Sequence, residues 1–126
     1  MTLQPQAPTN EAKEVVLRLG KALNDEKFQI ARELVSDHMK YIGPFGVRHG
    51  AEAYLHEIQR LRLKFDIQKV FVDEGDVCAL YHIAVSGIIV FACGWFQVKD
   101  GKVSSLRVTF DPRPLLDNRV VPTRSS

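Results

Sequence analysis

The stretch "YHIAVSGIIVFACGW", Tyr81 to Trp95, constrains the chain more than any other. Two apolar runs meet at Ser86-Gly87, a pair that suits a two-residue hairpin turn. With Val85 opposite Ile88, cross-strand partners share a face. One face then holds Val77, Ala79, Tyr81, Ile83, Val85, Ile88, Val90, Ala92, Gly94 and Phe96. The other holds Cys78, Leu80, His82, Ala84, Ile89, Phe91, Cys93, Trp95 and Gln97. Both faces are apolar, whereas an antiparallel sheet usually wets one of them. A chain built on this hairpin has to cover both sides of its sheet.

The rest of the sequence says what can cover them. Apolar spacing at Val15, Val16, Leu19, Ala22 and Leu23 predicts an amphipathic helix over 11–24, capped by Asn10 and closed at Asn24-Asp25. A shorter helix follows with Phe28, Ala31, Leu34 and Val35 on its apolar face. The period then changes in "HMKYIGPFG", which reads as a short strand stopped by Gly43-Pro44. A third helix is expected from about Ala51 to Leu63, its buried stripe being Tyr54, Ile58 and Leu61. From Phe65 onward, strands alternate with breaks at "DEGD", "SG", "KDG" and "DPRP". The order helix, helix, strand, helix and four antiparallel strands implies an α+β domain with its helices gathered on one side of a curved sheet. Residues 1–10 read as a flexible arm, 11–116 as the domain and 117–126 as a tail.

Bulk properties exclude several functions. A chain of 126 residues with a formal net charge of +2 offers no electrostatic case for nucleic acid or membrane as a partner. "MTLQPQAPTN" lacks the basic and apolar regions of a signal peptide, so the expected location is cytoplasmic. Cys78 and Cys93 match no disulfide framework or zinc spacing and are expected as buried free thiols. The four histidines form no pair at ligand spacing, so neither metal nor other cofactor is expected.

The segments "VVLRLGKALNDEKFQIARELVSDHMKYIGP" and "GWFQVKDGKVSSLRVTFDPRPL" resemble the opening and closing parts of the nuclear transport factor 2-like superfamily, in particular its SnoaL-like and ketosteroid isomerase-like members. The resemblance spans roughly 11–116 and implies a cone-shaped antiparallel sheet packed against three helices. It also implies which residues stand where the isomerases keep their chemistry: Gly43 at the strand carboxylate, Leu19 at the helix tyrosine and Gly94 at the second acid. None of these side chains exchanges a proton, which argues against ketosteroid isomerase chemistry. The Asp and His of SnoaL-type cyclases and the Asp–Arg–Asp set of limonene epoxide hydrolases find no clear counterparts.

Because Gly94 matches a pocket-facing acid, the resemblance puts the Tyr81 face inside the cone. Its expected ligand-binding lining is Met39, Tyr41, Tyr54, Ile58, Tyr81, Val90, Ala92, Leu106, Val108 and Phe110, with room left by Gly43, Ala92 and Gly94. Such a cavity suits a small hydrophobic molecule, with Tyr41 and Tyr81 donating to a carbonyl oxygen. The competing reading makes them core aromatics whose hydroxyls reach backbone or solvent. His82 falls on the outer face, although a one-residue slip would carry it inside as a general base. The catalytic candidates are therefore Tyr41, Tyr81 and His82. His38 and His49 flank the cavity mouth, His56 faces outward, Arg60, Arg62 and Lys64 form a solvated cluster, and Asp111 and Arg113 are expected to pair or cap near the rim.

The outer face, with Leu80, Ile89, Phe91 and Trp95, predicts a homodimer through the sheet, as is common among relatives of this kind. The competing arrangement is a monomer in which "PLLDNRVV" folds over the patch. Two functions fit: a domain that performs proton transfer (isomerase, dehydratase or cyclase type) on a small carbonyl compound, or a non-catalytic ligand-binding or dimerisation module.

Overall fold

A computed structural model describes residues 6–118. Helix α1 (Gln6–Asn24) leads into α2 (Phe28–Glu33), strands β1 (Val35–Gly43) and β2 (Gly46–His49), and helix α3 (Ala51–Leu61). Four long strands follow, β3 (Lys64–Asp73), β4 (Asp76–Val85), β5 (Ile88–Lys99) and β6 (Lys102–Phe110), and a short α4 (Arg113–Asp117) ends the fold. One six-stranded sheet takes the order β2-β1-β6-β5-β4-β3. All neighbours are antiparallel except β1 and β6, which run parallel because the chain leaves β1 at one edge and returns to its other side only after the meander. Register shifts interrupt the β3–β4 pairing near Ile67 and the β5–β6 pairing near Gln97, and such bulges bend a sheet. The result is the curved α+β architecture expected from the sequence.

Several boundaries differ from the reading above. Helix α1 begins at Gln6, so Asn10 lies within it and is not its N-cap. Residues 1–5 of the expected arm and 119–126 of the expected tail lie outside the described residues. Helix α2 ends at Glu33 and Val35 opens β1, because Leu34 adopts the C-cap and the chain turns into the sheet there. Helix α3 stops at Leu61, where Arg62 takes a left-handed conformation with φ of 53°. Strand β2 was not expected at all. It pairs with β1 through a hairpin in which Gly43 faces Gly46, leaving Pro44-Phe45 as the turn.

The central hairpin has the expected register. Val85 pairs with Ile88, Tyr81 with Ala92 and Ala79 with Gly94. Burial alternates accordingly: Val77, Ala79, Tyr81, Ile83 and Val85 of β4 are buried, and Cys78, Leu80, His82 and Ala84 are half-exposed. The inner face packs on α1 through Val15, Val16, Leu19 and Leu23, and on α3 through Tyr54, Leu55 and Ile58, all within one buried core. Asn24 fastens the end of α1 to the start of β3. Its amide donates to the Phe65 carbonyl at 2.7 Å and accepts from the Phe65 amide at 2.8 Å, imitating a strand partner.

Asp111 and Arg113 do pair, through two parallel hydrogen bonds of 2.9 and 2.7 Å. The guanidinium holds the Asp111 carboxyl down at about 2. Within the expected solvated cluster, Arg60 meets Glu57 and Lys64 meets Glu26, each at 2.8 Å. The cysteines are half-buried rather than buried, since they sit on the outer face, with their sulfurs 3.5 Å apart.

Both hairpin turns of the β4–β6 meander have two central residues at positive φ: Ser86 (51°) with Gly87 (80°), and Asp100 (54°) with Gly101 (76°). Asn and Asp tolerate this geometry better than Ser. Ser86→Asn should therefore stabilise the protein by about 0.5 kcal/mol, read as a higher urea midpoint with an unchanged slope; a lower midpoint would contradict the turn assignment.

Candidate functional site

The sheet's curvature leaves a cavity of about 100 Å³ between its inner face and helices α1 and α3. Its walls are mostly apolar. Helix α1 contributes Val16, Leu19 and Leu23, α3 contributes Ile58 and Leu61, and the strands contribute Ala79, Phe96, Leu106, Val108 and Phe110. Leu115 of α4 also lines it, so the described part of the C-terminal segment packs toward the cavity rather than over the outer face. Only five lining side chains among the described residues carry polar atoms: Tyr41, Tyr54, Tyr81, Arg48 and Glu57.

The three tyrosines come from β1, α3 and β4 and converge on the same space. Tyr41 and Tyr54 rings lie 5.5 Å apart, and Tyr81 meets Phe65 edge-on at 5.9 Å. Tyr54 and Tyr81 are 5% and 4% exposed. Among the described residues none of the three hydroxyls has a hydrogen-bond partner; burial and neighbouring charge alone act on them. A buried hydroxyl without a partner is costly and asks for an explanation. Burial pushes the Tyr41 phenol up to about 12, with the Glu57 charge adding to the rise and Arg48 partly opposing it. Burial likewise raises Tyr54, helped by Tyr41, and raises Tyr81 well above the usual phenol value. At neutral pH all three are therefore protonated donors, unable to act as bases.

Two of them also fill space that the sequence suggested was open. A Cβ placed on Gly43 would lie 2.6 Å from the Tyr41 hydroxyl oxygen, and one on Gly94 would lie 2.8 Å from that of Tyr81. The glycines do not enlarge the cavity, because each tyrosine hydroxyl occupies the place where a side chain would begin.

Of the remaining expected lining residues, Tyr41, Tyr54, Ile58, Tyr81, Leu106, Val108 and Phe110 line the cavity. Met39, Val90 and Ala92 do not; they are buried within the core, at 0%, 5% and 1% exposure. His82 pairs with Phe91 on the outer face and stacks edge-on against its ring at 5.5 Å, so the register excludes it as a base inside the cone. Neither His38 nor His49 lines the cavity, and His56 is exposed. No group of three or more potential metal-ligating side chains occurs among the described residues.

Arg48 and Glu57 are the polar lining residues that sequence reasoning missed. Glu57 stands three residues after Tyr54 and one before Ile58, on the stripe that carries both, and that spacing was a readable signal. Arg48 sits on β2, the strand that went unrecognised. The Glu57 carboxylate receives a 2.8 Å bond from Arg60 and lies 3.9 Å from Arg48.

Since these phenols bind their protons more tightly folded than unfolded, stability is fully present below the ordinary phenol value of 10 and falls as pH climbs toward about 12. Alkaline titration should show phenolate absorbance delayed beyond 10 and appearing together with loss of structure; free titration of all three phenols in the folded protein would overturn their burial.

No curated protein matches the sequence. Among solved structures, a nuclear transport factor 2-like protein of unknown function from Cytophaga hutchinsonii is 33% identical, aligned over 92% of this chain and 99% of that one with a TM-score of 0.81. An epoxide hydrolase from M. tuberculosis, like limonene epoxide hydrolase, shares the fold at 23% identity over 86% and 89% of the two chains, with a TM-score of 0.73. A candidate SnoaL-like polyketide cyclase from Jannaschia sp. does so at 18% identity over 97% and 100%, with a TM-score of 0.78. The sequence profile of the SnoaL-like domain matches residues 16–106, which takes in the second half of α1, α2, the first hairpin, α3 and most of the sheet. The chain therefore belongs to the SnoaL-like family of nuclear transport factor 2-like proteins.

Proposed function

We propose that this domain binds a small, largely hydrophobic molecule in its cone and hydrogen-bonds a carbonyl oxygen of that molecule through tyrosine hydroxyls. The observation that carries the reading is the buried pair of phenols, Tyr54 and Tyr81, on a mostly apolar cavity; with the half-buried Tyr41, they have no hydrogen-bond partner among the described residues. An oxygen acceptor placed there would satisfy donors that the protein leaves unmade, while the apolar body would gain from burial. Proton-transfer catalysis is the second reading, favoured by Glu57, the carboxylate in the lining. Its carboxylate is already held by Arg60 at 2.8 Å, so binding accounts for the site better than turnover.

The unpaired Tyr81 hydroxyl gives this reading a two-sided test. Tyr81→Phe should stabilise the free protein by about 1 kcal/mol, because it deletes a buried donor without a partner. It should also weaken binding of acetophenone about fivefold relative to ethylbenzene, the loss of one neutral hydrogen bond. A destabilised variant, or an unchanged ratio of affinities, would overturn the assignment.

We further propose that the domain forms a homodimer through the outer sheet face. Phe71, Ile89, Phe91 and Trp95 are 54%, 65%, 54% and 47% exposed there, an apolar surface that a monomer would leave wet. The Trp95 indole donates to Asp76 at 2.9 Å, which satisfies its polar edge and leaves its ring available for packing. Analytical ultracentrifugation at micromolar concentration should show a dimer, and Phe91→Lys should convert it to a folded monomer. A wild-type monomer would remove the proposal.

A further inference from the structure

We infer that Arg48 docks a carboxylate at the mouth of the cavity, so that the ligand is a small apolar acid: its body in the cone, its anionic end at the rim. The inference rests on the proposal that the cavity binds a small hydrophobic molecule, and adds the chemical class. Arg48 is the cation among the described lining residues. Its donors are poorly used. One nitrogen reaches the neighbouring Val47 carbonyl at 3.1 Å, and the closest approach to Glu57 is 3.9 Å, beyond hydrogen-bond distance. Glu57 is instead satisfied by Arg60 at 2.8 Å. The three side chains together carry two positive charges and one negative, so the mouth retains a positive charge on the residue least committed to a partner.

Geometry supports the same division. Gly46, which also lines the cavity, has no side chain beside the guanidinium; a Cβ there would lie 3.6 Å from one of its nitrogens. Arg48 is 37% exposed, which keeps its charge hydrated in the free protein and spares the cost of a buried, unpaired cation. A guanidinium with free donors matches a carboxylate through paired hydrogen bonds. Size limits the rest of the ligand, since an apolar cavity of roughly 150 Å³ takes one benzene. A space of about 100 Å³ is smaller than that, so it suits a short branched chain, or a single ring that extends into the open mouth.

Calorimetric titration with hydrocinnamate and with its isosteric neutral amide separates the possibilities. The wild-type protein should prefer the carboxylate by about tenfold. Arg48→Gln should bring that ratio close to one, and Glu57→Gln, which removes the opposing charge, should raise it. Equal binding of both probes to the wild type, or a ratio unmoved by both substitutions, would overturn the role of Arg48 while leaving the apolar pocket standing. Failure of both probes to bind would overturn the pocket reading and this inference with it.

Discussion

The pairing of Val85 with Ile88 across a two-residue turn sets the rest of the molecule. Side chains alternate with a period of two, so this one contact decides which half of the hairpin faces the helices. It sends Tyr81 inward and His82 outward, buries Ala92 behind the cavity and leaves Ile89, Phe91 and Trp95 outside. A shift of β4 by one residue would have produced a cone with a histidine in it and an outer face lined by Val77, Tyr81 and Ile83. The chemistry available to the interior is thus a consequence of strand register.

Within that frame the site divides by depth. Far from solvent, burial keeps the phenols neutral and makes them donors without basicity. Near the rim, charged groups remain partly hydrated. Apolar walls between the two zones supply most of the contact surface, so shape and a few oxygen positions, rather than strong charge, would discriminate among ligands.

Much of the architecture was legible because its signals are periodic. Helical spacing found α1 and α3, and the alternation of β4 against β5 gave a register that the structure repeats residue for residue. The errors share a physical origin. Val35 belongs to an apolar face whether it ends a helix or begins a strand, so periodicity could not assign it. Strand β2 is only four residues long, with glycine at its start, and its strand character comes from pairing with β1 rather than from its own composition. Losing that strand also hid Arg48. Glu57 was passed over because a charged residue on an amphipathic helix usually faces water, and only the concavity of the sheet makes this one a wall. The sequence likewise named the two glycines but not what stands over them, since a tyrosine's reach across two residues or a neighbouring strand is a tertiary fact.

That last arrangement restricts the substitutions open to such a chain. At Gly94 any Cβ meets the Tyr81 oxygen at 2.8 Å, and the ring is held in place by Phe65, so it has little freedom to withdraw. Gly43 stands in the same relation to Tyr41. An acid introduced at either position by one replacement would overlap the tyrosine unless the ring moved or gave way to something shorter. Each glycine and its tyrosine are therefore sterically linked, and a larger residue at the glycine is accommodated only together with a change at the tyrosine.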